Sequence, residues 1–144
     1  MKGIRSSKLA GLLGAVVLAT LLNAGVARAQ KCIGDFTLAS EIRWGKAILP
    51  PGHYTLELDT PNDLTTVRGQ NGAVMVMSQT HDTDARLESS ELILVSRGRK
   101  PTVRELRLAS LKAVFLYAVP KENPEEVTQE PVQIHRVPVT VDGK

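Results

Sequence analysis

EIRWGKAILPPGHYTLELD, Glu41 to Asp59, is the stretch whose reading decides the fold. From Tyr54 onward the apolar Tyr54, Leu56 and Leu58 alternate with Thr55, Glu57 and Asp59. Neighbouring side chains of a strand point to opposite faces, so this period of two describes a strand with one buried and one wet face. Pro50-Pro51-Gly52 interrupts the chain just before it, because proline fixes φ and glycine accepts positive φ. Upstream, Ile42 and Trp44 share one face of a second short strand, and Gly45-Lys46 supplies the turn that follows.

Outward toward the C-terminus the same grammar repeats. Thr60-Pro61-Asn62-Asp63 is turn chemistry, Leu64 to Arg68 reads as strand, and Asn71-Gly72 is the favoured pair for a tight hairpin with positive φ. Ala73 to Met77, AVMVM, is apolar on both faces and is expected to be a central strand covered on both sides. Gln79 to Ser90 is polar and carries no strand pattern, whereas ELILVS at 91–96 resumes one. Arg97 to Pro101 is a basic turn, with Thr102 to Leu108 returning as the second arm of a hairpin. Residues 103–118 are rich in helix formers. Phe115 and Tyr117 nevertheless alternate with smaller residues, and the expectation is two strands broken near Ser110 to Lys112. Residues 119–131 form an acidic, proline-containing loop. Val132 to Val141 then places Val132, Ile134, Val137 and Val139 as apolar positions, with Pro138 restricting the segment to an edge. The fold expected is all-β, a small antiparallel β-sandwich or partly closed barrel.

Toward the N-terminus, Lys2, Arg5 and Lys8 precede an apolar core from Leu9 to Leu22, and Ala27-Arg28-Ala29 is a small-x-small cleavage pattern. Residues 1–29 therefore read as a signal peptide, with a single β domain over 30–144 and an exported location, periplasmic or secreted. The apolar run falls short of the roughly 20 residues of a spanning helix, so no stable membrane anchor is expected after cleavage. The leader holds four of the 18 Lys and Arg and no acid, which leaves 14 bases against 15 acids in the rest. The basic pI thus belongs to the leader and gives no ground for a nucleic-acid partner. Cys32 is the only cysteine, so no internal disulfide is possible. Lys31 directly before it disfavours lipid attachment, and the expectation is a thiol in a disordered N-terminal stretch.

WGKAILPPGHYTLEL resembles a segment of small, uncharacterised secreted bacterial β proteins, of the form Trp-Gly-Lys-x-x-Leu-Pro-x-Gly-x-Tyr-Thr. Trp44, Gly45, Lys46, Leu49, Pro50, Gly52, Tyr54 and Thr55 carry the likeness. The tail from Val132 to Lys144 is similar too. The resemblance implies a β fold and export, and transfers no catalytic residue. The shorter Leu-Pro-Pro-Gly-x-Tyr-Thr-Leu also resembles turns entering strands in transthyretin-like domains.

Candidate chemistry is sparse. His81, Asp82 and Asp84 together resemble a divalent-metal set, yet a solvated loop accounts for them and no metal site is expected. Arg97, Arg99, Lys100, Arg104 and Arg107 form a basic surface patch suited to an acidic polymer or partner, or simply to keeping a hairpin tip soluble. His53, His81 and His135 lie on expected wet faces, without a nucleophile elbow, phosphate loop or paired-cysteine motif around them. No cofactor is expected. Trp44 and Tyr54 are candidate ligand-groove residues, or else the bulk of the core. The reading that follows is a non-enzymatic exported binding or envelope-associated module whose partner is another envelope or secreted protein. The alternative is a small-ligand or carbohydrate carrier with a pocket near Trp44, and a remote one is hydrolysis at a metal held by His81.

Overall fold

The computed structural model describes residues 31–97, 100–121 and 131–142. The expected signal peptide, most of the expected acidic loop, and Arg99 of the expected basic patch lie outside those residues. In chain order the described strands are β1 (Lys31–Leu38), β2 (Ile42–Trp44), β3 (Ala47–Leu49), β4 (Gly52–Asp59), β5 (Leu64–Gly69) and β6 (Gly72–Met77). They continue with β7 (Thr80–Thr83), β8 (Glu91–Ser96), β9 (Thr102–Leu108), β10 (Ala113–Leu116), β11 (Gln133–Pro138) and β12 (Thr140–Val141).

The strands form two sheets. The first runs β12-β1-β4-β5-β6 and the second β11-β8-β9-β10-β7, with the β2–β3 hairpin joined to β9. Every pairing is antiparallel except β2 with β9, where the Arg43 amide donates to Pro101 O at 2.8 Å. The sheets do not close into a barrel. At each flank the chain crosses directly from one sheet to the other, through β6–β7 on one side and β11–β12 on the other. The first crossing is held by the Ser78 amide on Asp63 O and the Gln79 amide on Leu116 O. The second is held by Val139, whose side chain is buried and whose amide donates to Ser90 O.

Alternation explains the core. Tyr54, Leu56 and Leu58 of β4 turn inward as their period demands, alongside Phe36 and Leu38 of β1 and Val67 of β5. Facing them are Ile42, Trp44, Leu92, Leu94, Val103, Leu106, Leu108 and Phe115. The aromatic rings meet at the centre. Phe36 stacks on Tyr54 at 5.5 Å and tilts against Trp44 at 6.1 Å, while Tyr117 meets Trp44 edge-on at 5.2 Å. The Tyr54 hydroxyl leaves the apolar layer to donate to Pro50 O at 2.7 Å, which ties the proline turn to the strand it introduces.

Gly69 makes room for that tyrosine. It follows the Arg68–Thr55 pair, and a Cβ there would come within 2.4 Å of the Tyr54 ring. An aromatic ring lying over a bare glycine on the adjacent strand covers backbone that no side chain protects. Gly69→Ala should push the ring out of its rotamer and lower stability by about 1–3 kcal/mol, the usual cost of overpacking. Urea unfolding, with the midpoint falling and the slope unchanged, is the measurement that checks it.

Several expectations are corrected. Cys32 is not in a disordered stretch: β1 begins at Lys31, and the thiol is buried between Leu58 on β4 and the β9–β10 turn, with Ser110 Oγ at 3.8 Å. The alternation Cys32, Gly34, Phe36, Leu38 against Lys31, Ile33, Asp35, Thr37 was there to read, but Gly34 leaves a gap in the apolar face. Within the polar segment Gln79 to Ser90, β7 forms by pairing with β10 through backbone bonds that need no apolar face. In the β5–β6 hairpin the loop residues are Gln70 and Asn71, and positive φ falls on Gly72 (123°) rather than on an Asn-Gly centre. Ala73 to Met77 is not a central strand but the end of the first sheet. Of the alternation expected over Val132 to Val141 only part is used: Val139, between β11 and β12, is buried and Val137 half-buried, while Val132 and Ile134 are exposed. The break near Ser110 to Lys112 stands as expected, as a turn between β9 and β10.

Burial pushes the Cys32 thiol above its ordinary value of 9.0, and the hydrogen bond to Ser110 offsets this only in part. A raised folded-state value keeps the proton on, so the stability it contributes is complete below about pH 9 and is lost as pH rises further. Thiolate is the reactive form. Iodoacetamide at pH 8 should leave the folded chain unlabelled over a time in which the urea-unfolded chain labels completely, read by intact mass.

Candidate functional site

The free edge of β6 is the candidate site. Its residues GAVMVM leave the hairpin and pair with β5 in the register Gly69↔Gly72, Arg68↔Ala73, Val67↔Val74, Thr66↔Met75, Thr65↔Val76 and Leu64↔Met77. A two-residue loop makes Gly69 and Gly72 a hydrogen-bonded pair, and bonded and non-bonded pairs then alternate along an antiparallel ladder. Val74 and Val76 therefore spend their backbone groups on β5. Ala73, Met75 and Met77 direct theirs to the open side, where no strand follows among the described residues. Side chains alternate as well: Val76 is buried and Val74 packs on the core, whereas Met75 and Met77 are 72% and 67% exposed. Leu64, half-buried and directly opposite Met77, extends the apolar surface onto β5.

The other free edges among the described residues are guarded in ways that discourage a further strand, and β3, the outer arm of the β2–β3 hairpin, is only three residues long and runs into Pro50 and Pro51. On β11, Val139 bonding to Ser90 sets the alternation so that Pro138, Arg136 and Ile134 face outward. Pro138 has no N–H to offer, and Arg136 is a charge on the rim. The β7 edge carries Thr80, His81, Asp82 and Thr83, all exposed. The β12 edge is two residues long. Short length, charge and proline are the usual protections of an edge, and β6 has none of them.

Charge is arranged around β6 rather than on it. Arg68 stands at the hairpin end of β5, exposed and cross-strand to Ala73. At the other end Asp63 immediately precedes β5 in a left-handed conformation (φ 51°), and Asp59 pairs across to Leu64. Asp63 also joins the two sheets, since its Oδ1 lies 3.0 Å from His81 Nδ1 on β7 and its carbonyl accepts from the Ser78 amide. His81 packs its ring on Phe115 at 5.8 Å. The histidine of the expected metal set is thus engaged with Asp63, while the Asp84 carboxylate accepts from the Arg86 amide. Among the described residues no three His, Cys, Asp or Glu side chains converge as a metal site would require.

The remaining sequence candidates fall elsewhere. Trp44 is wholly buried, with its indole Nε1 left without a hydrogen-bond partner among the described residues. Tyr54 is buried and, among the described residues, borders a depression of about 40 Å³ shared with Pro50 to His53, Gln70 and Asn71. That is room for a water molecule or so, far below the several hundred Å³ of a small-molecule site. The basic patch is largely paired. Lys100 bonds Glu41, Arg104 lies 4.0 Å from Glu105, and Arg107 bridges Glu105 (2.8 Å) and Glu91 (3.5 Å). Glu91 is also met by Arg136 at 3.3 Å. Arg97 is exposed in the β8–β9 turn. The β6 edge was missed in sequence because AVMVM was given a cover on both faces. The available signal was its short distance from a tight turn, together with two methionines at positions i and i+2.

The chain matches no family model, no curated protein and no solved structure.

Proposed function

We propose that this chain is an exported, non-catalytic binding module that takes an extended polypeptide segment as an added strand along β6. The observation that carries the reading is the contrast among free edges: β3, β7, β11 and β12 are short, polar or proline-bearing, and β6 offers outward backbone groups beside exposed Met75 and Met77. In strand addition main-chain hydrogen bonds supply affinity, and alternate side chains supply selectivity. Methionine suits such a surface because its flexible, polarisable side chain adapts to differing partners. Export is supported by the basic, apolar and small-x-small order of residues 1–29, and the partner class is another exported or envelope protein.

The test uses Met75→Pro. Because the Met75 amide faces the open side, proline there removes a donor from the edge without taking one from the β5 ladder. Peptides selected from a random extended library against the wild-type protein should carry apolar residues at alternate positions and lose binding at least tenfold to Met75→Pro. Selected peptides that bind both proteins equally would defeat the reading.

A further inference from the structure

The ends of β6 are electrostatically unlike. Arg68 on β5 stands at the hairpin end, Asp63, which also meets His81, stands before β5 at the other with Asp59 one strand further on β4, and the six residues of β6 carry no charge. A strand laid antiparallel with the same charge distribution would meet this one with each basic end beside an acidic end. Laid parallel, it would set like ends together. The complement of β6 is therefore β6 itself, turned by half a rotation.

We propose that the strand received at this edge belongs to a second copy of the chain, paired antiparallel about a two-fold axis at Met75. The inference rests on the strand-addition reading above and names its partner. With Met75 opposite its symmetry mate, Ala73 lies opposite the partner's Met77, and Met77 opposite the partner's Ala73. All of these are positions whose N–H and C=O groups point away from β5 and meet no strand among the described residues. A two-fold contact requires such self-complementarity, since the same patch serves both sides. The two five-stranded sheets become one of ten strands. On its outer face Leu64 and Met77 of each copy flank the central pair of Met75 side chains, so the exposed apolar surface becomes continuous and shared. Val74 and Val76 keep their places in the core, and no strand has to be displaced. A short edge with two methionines per copy falls at the small end of specific interfaces, so the association is weak and concentration-dependent.

Sedimentation velocity of the purified protein from low micromolar to millimolar concentration tests this. Wild type should pass from monomer to dimer, and Met75→Pro should need at least about tenfold more protein to do so. Met75→Lys places two charges face to face at the axis without touching the backbone, and it replaces Met75→Pro if the proline variant melts early. Arg68→Glu makes both ends acidic, and should weaken association several-fold at low salt with a smaller effect at high salt. Residues paired across such a ladder have Cα atoms about 5.5 Å apart, within disulfide range. Met75→Cys should therefore give a covalent dimer under mild oxidation, with Cys32 remaining buried. A protein that stays monomeric at millimolar concentration, with no Met75→Cys crosslink, overturns the second-copy inference. Selected peptides that still lose binding on Met75→Pro would then leave the strand-addition reading in place. A dimer insensitive to Met75→Pro, Met75→Lys and Arg68→Glu also overturns the inference, because it forms elsewhere.

Discussion

Trp44→Ala should destabilise the protein by about 3–5 kcal/mol, the cost of emptying a large aromatic site in a packed core. Trp44 is the largest wholly buried side chain described and meets rings from both sheets, Phe36 on one side and Tyr117 on the other. A loss of that size is a large share of the stability of a small domain. It should appear as a fall of many degrees in Tm. Trp44→Phe separates two contributions. It removes volume, but it also removes an indole N–H that lies buried without a partner among the described residues, and leaving such a donor unpaired carries its own penalty. The phenylalanine variant should therefore retain well over half of what alanine loses. Equal losses for the two would mean that Nε1 is satisfied in solution, by water or by a group outside the described residues.

The second large effect belongs to the buried Thr65–Tyr117 pair. Thr65 is wholly buried on β5, and its hydroxyl lies 2.7 Å from that of Tyr117, just beyond β10 on the opposite sheet. The contact is a polar link across an otherwise apolar interior. Tyr117→Phe leaves the Thr65 hydroxyl without this partner and should cost about 1–3 kcal/mol, as should Thr65→Val for the reverse reason. The double variant removes both polar groups at nearly constant shape and should lose less than the two single losses added together. Urea denaturation of the four proteins gives the coupling directly. Strict additivity would show that the hydroxyls do not bond. Burial holds the Tyr117 phenol far above its ordinary value of 10.0, with the bond to Thr65 opposing that shift and the charge of Asp63 adding to it. Its contribution is complete below about pH 10 and declines as the unfolded phenol ionises above that.

Much of the fold was legible because alternation is a local property. Tyr54, Leu56 and Leu58 announce their inward face within six residues, and Pro50 to Gly52 and Thr60 to Asp63 mark where that strand begins and ends. The break between Leu108 and Ala113 was legible for the same reason, from Phe115 and Tyr117. What covers a face is not local. AVMVM shows that both faces of β6 are apolar, but whether each is covered depends on strand order, which puts β6 last in its sheet. Cys32 escaped for a related reason: Gly34 blanks one inward position, and the pairings that make β1 a strand come from residues 52–59 and 140–141. β7 owes its existence to backbone pairing with β10, which no pattern in Thr80 to Thr83 encodes. At the candidate site the methionines were visible in the sequence, whereas the protections on β7, β11 and β12 that set β6 apart required the whole topology.

The earliest described strand lies between β4 and the last described strand, with Gly34 opposite Val141 and Asp35 opposite Thr140. A polypeptide emerging N-terminus first can pair β1 with β4 along all eight residues early, yet β1 gains its other neighbour only when residues 140–141 have appeared. The long sequence separation of that closure makes it a late and slow step. Until then β1 is held from one side only, so the two ends of the described chain are the last parts to be joined.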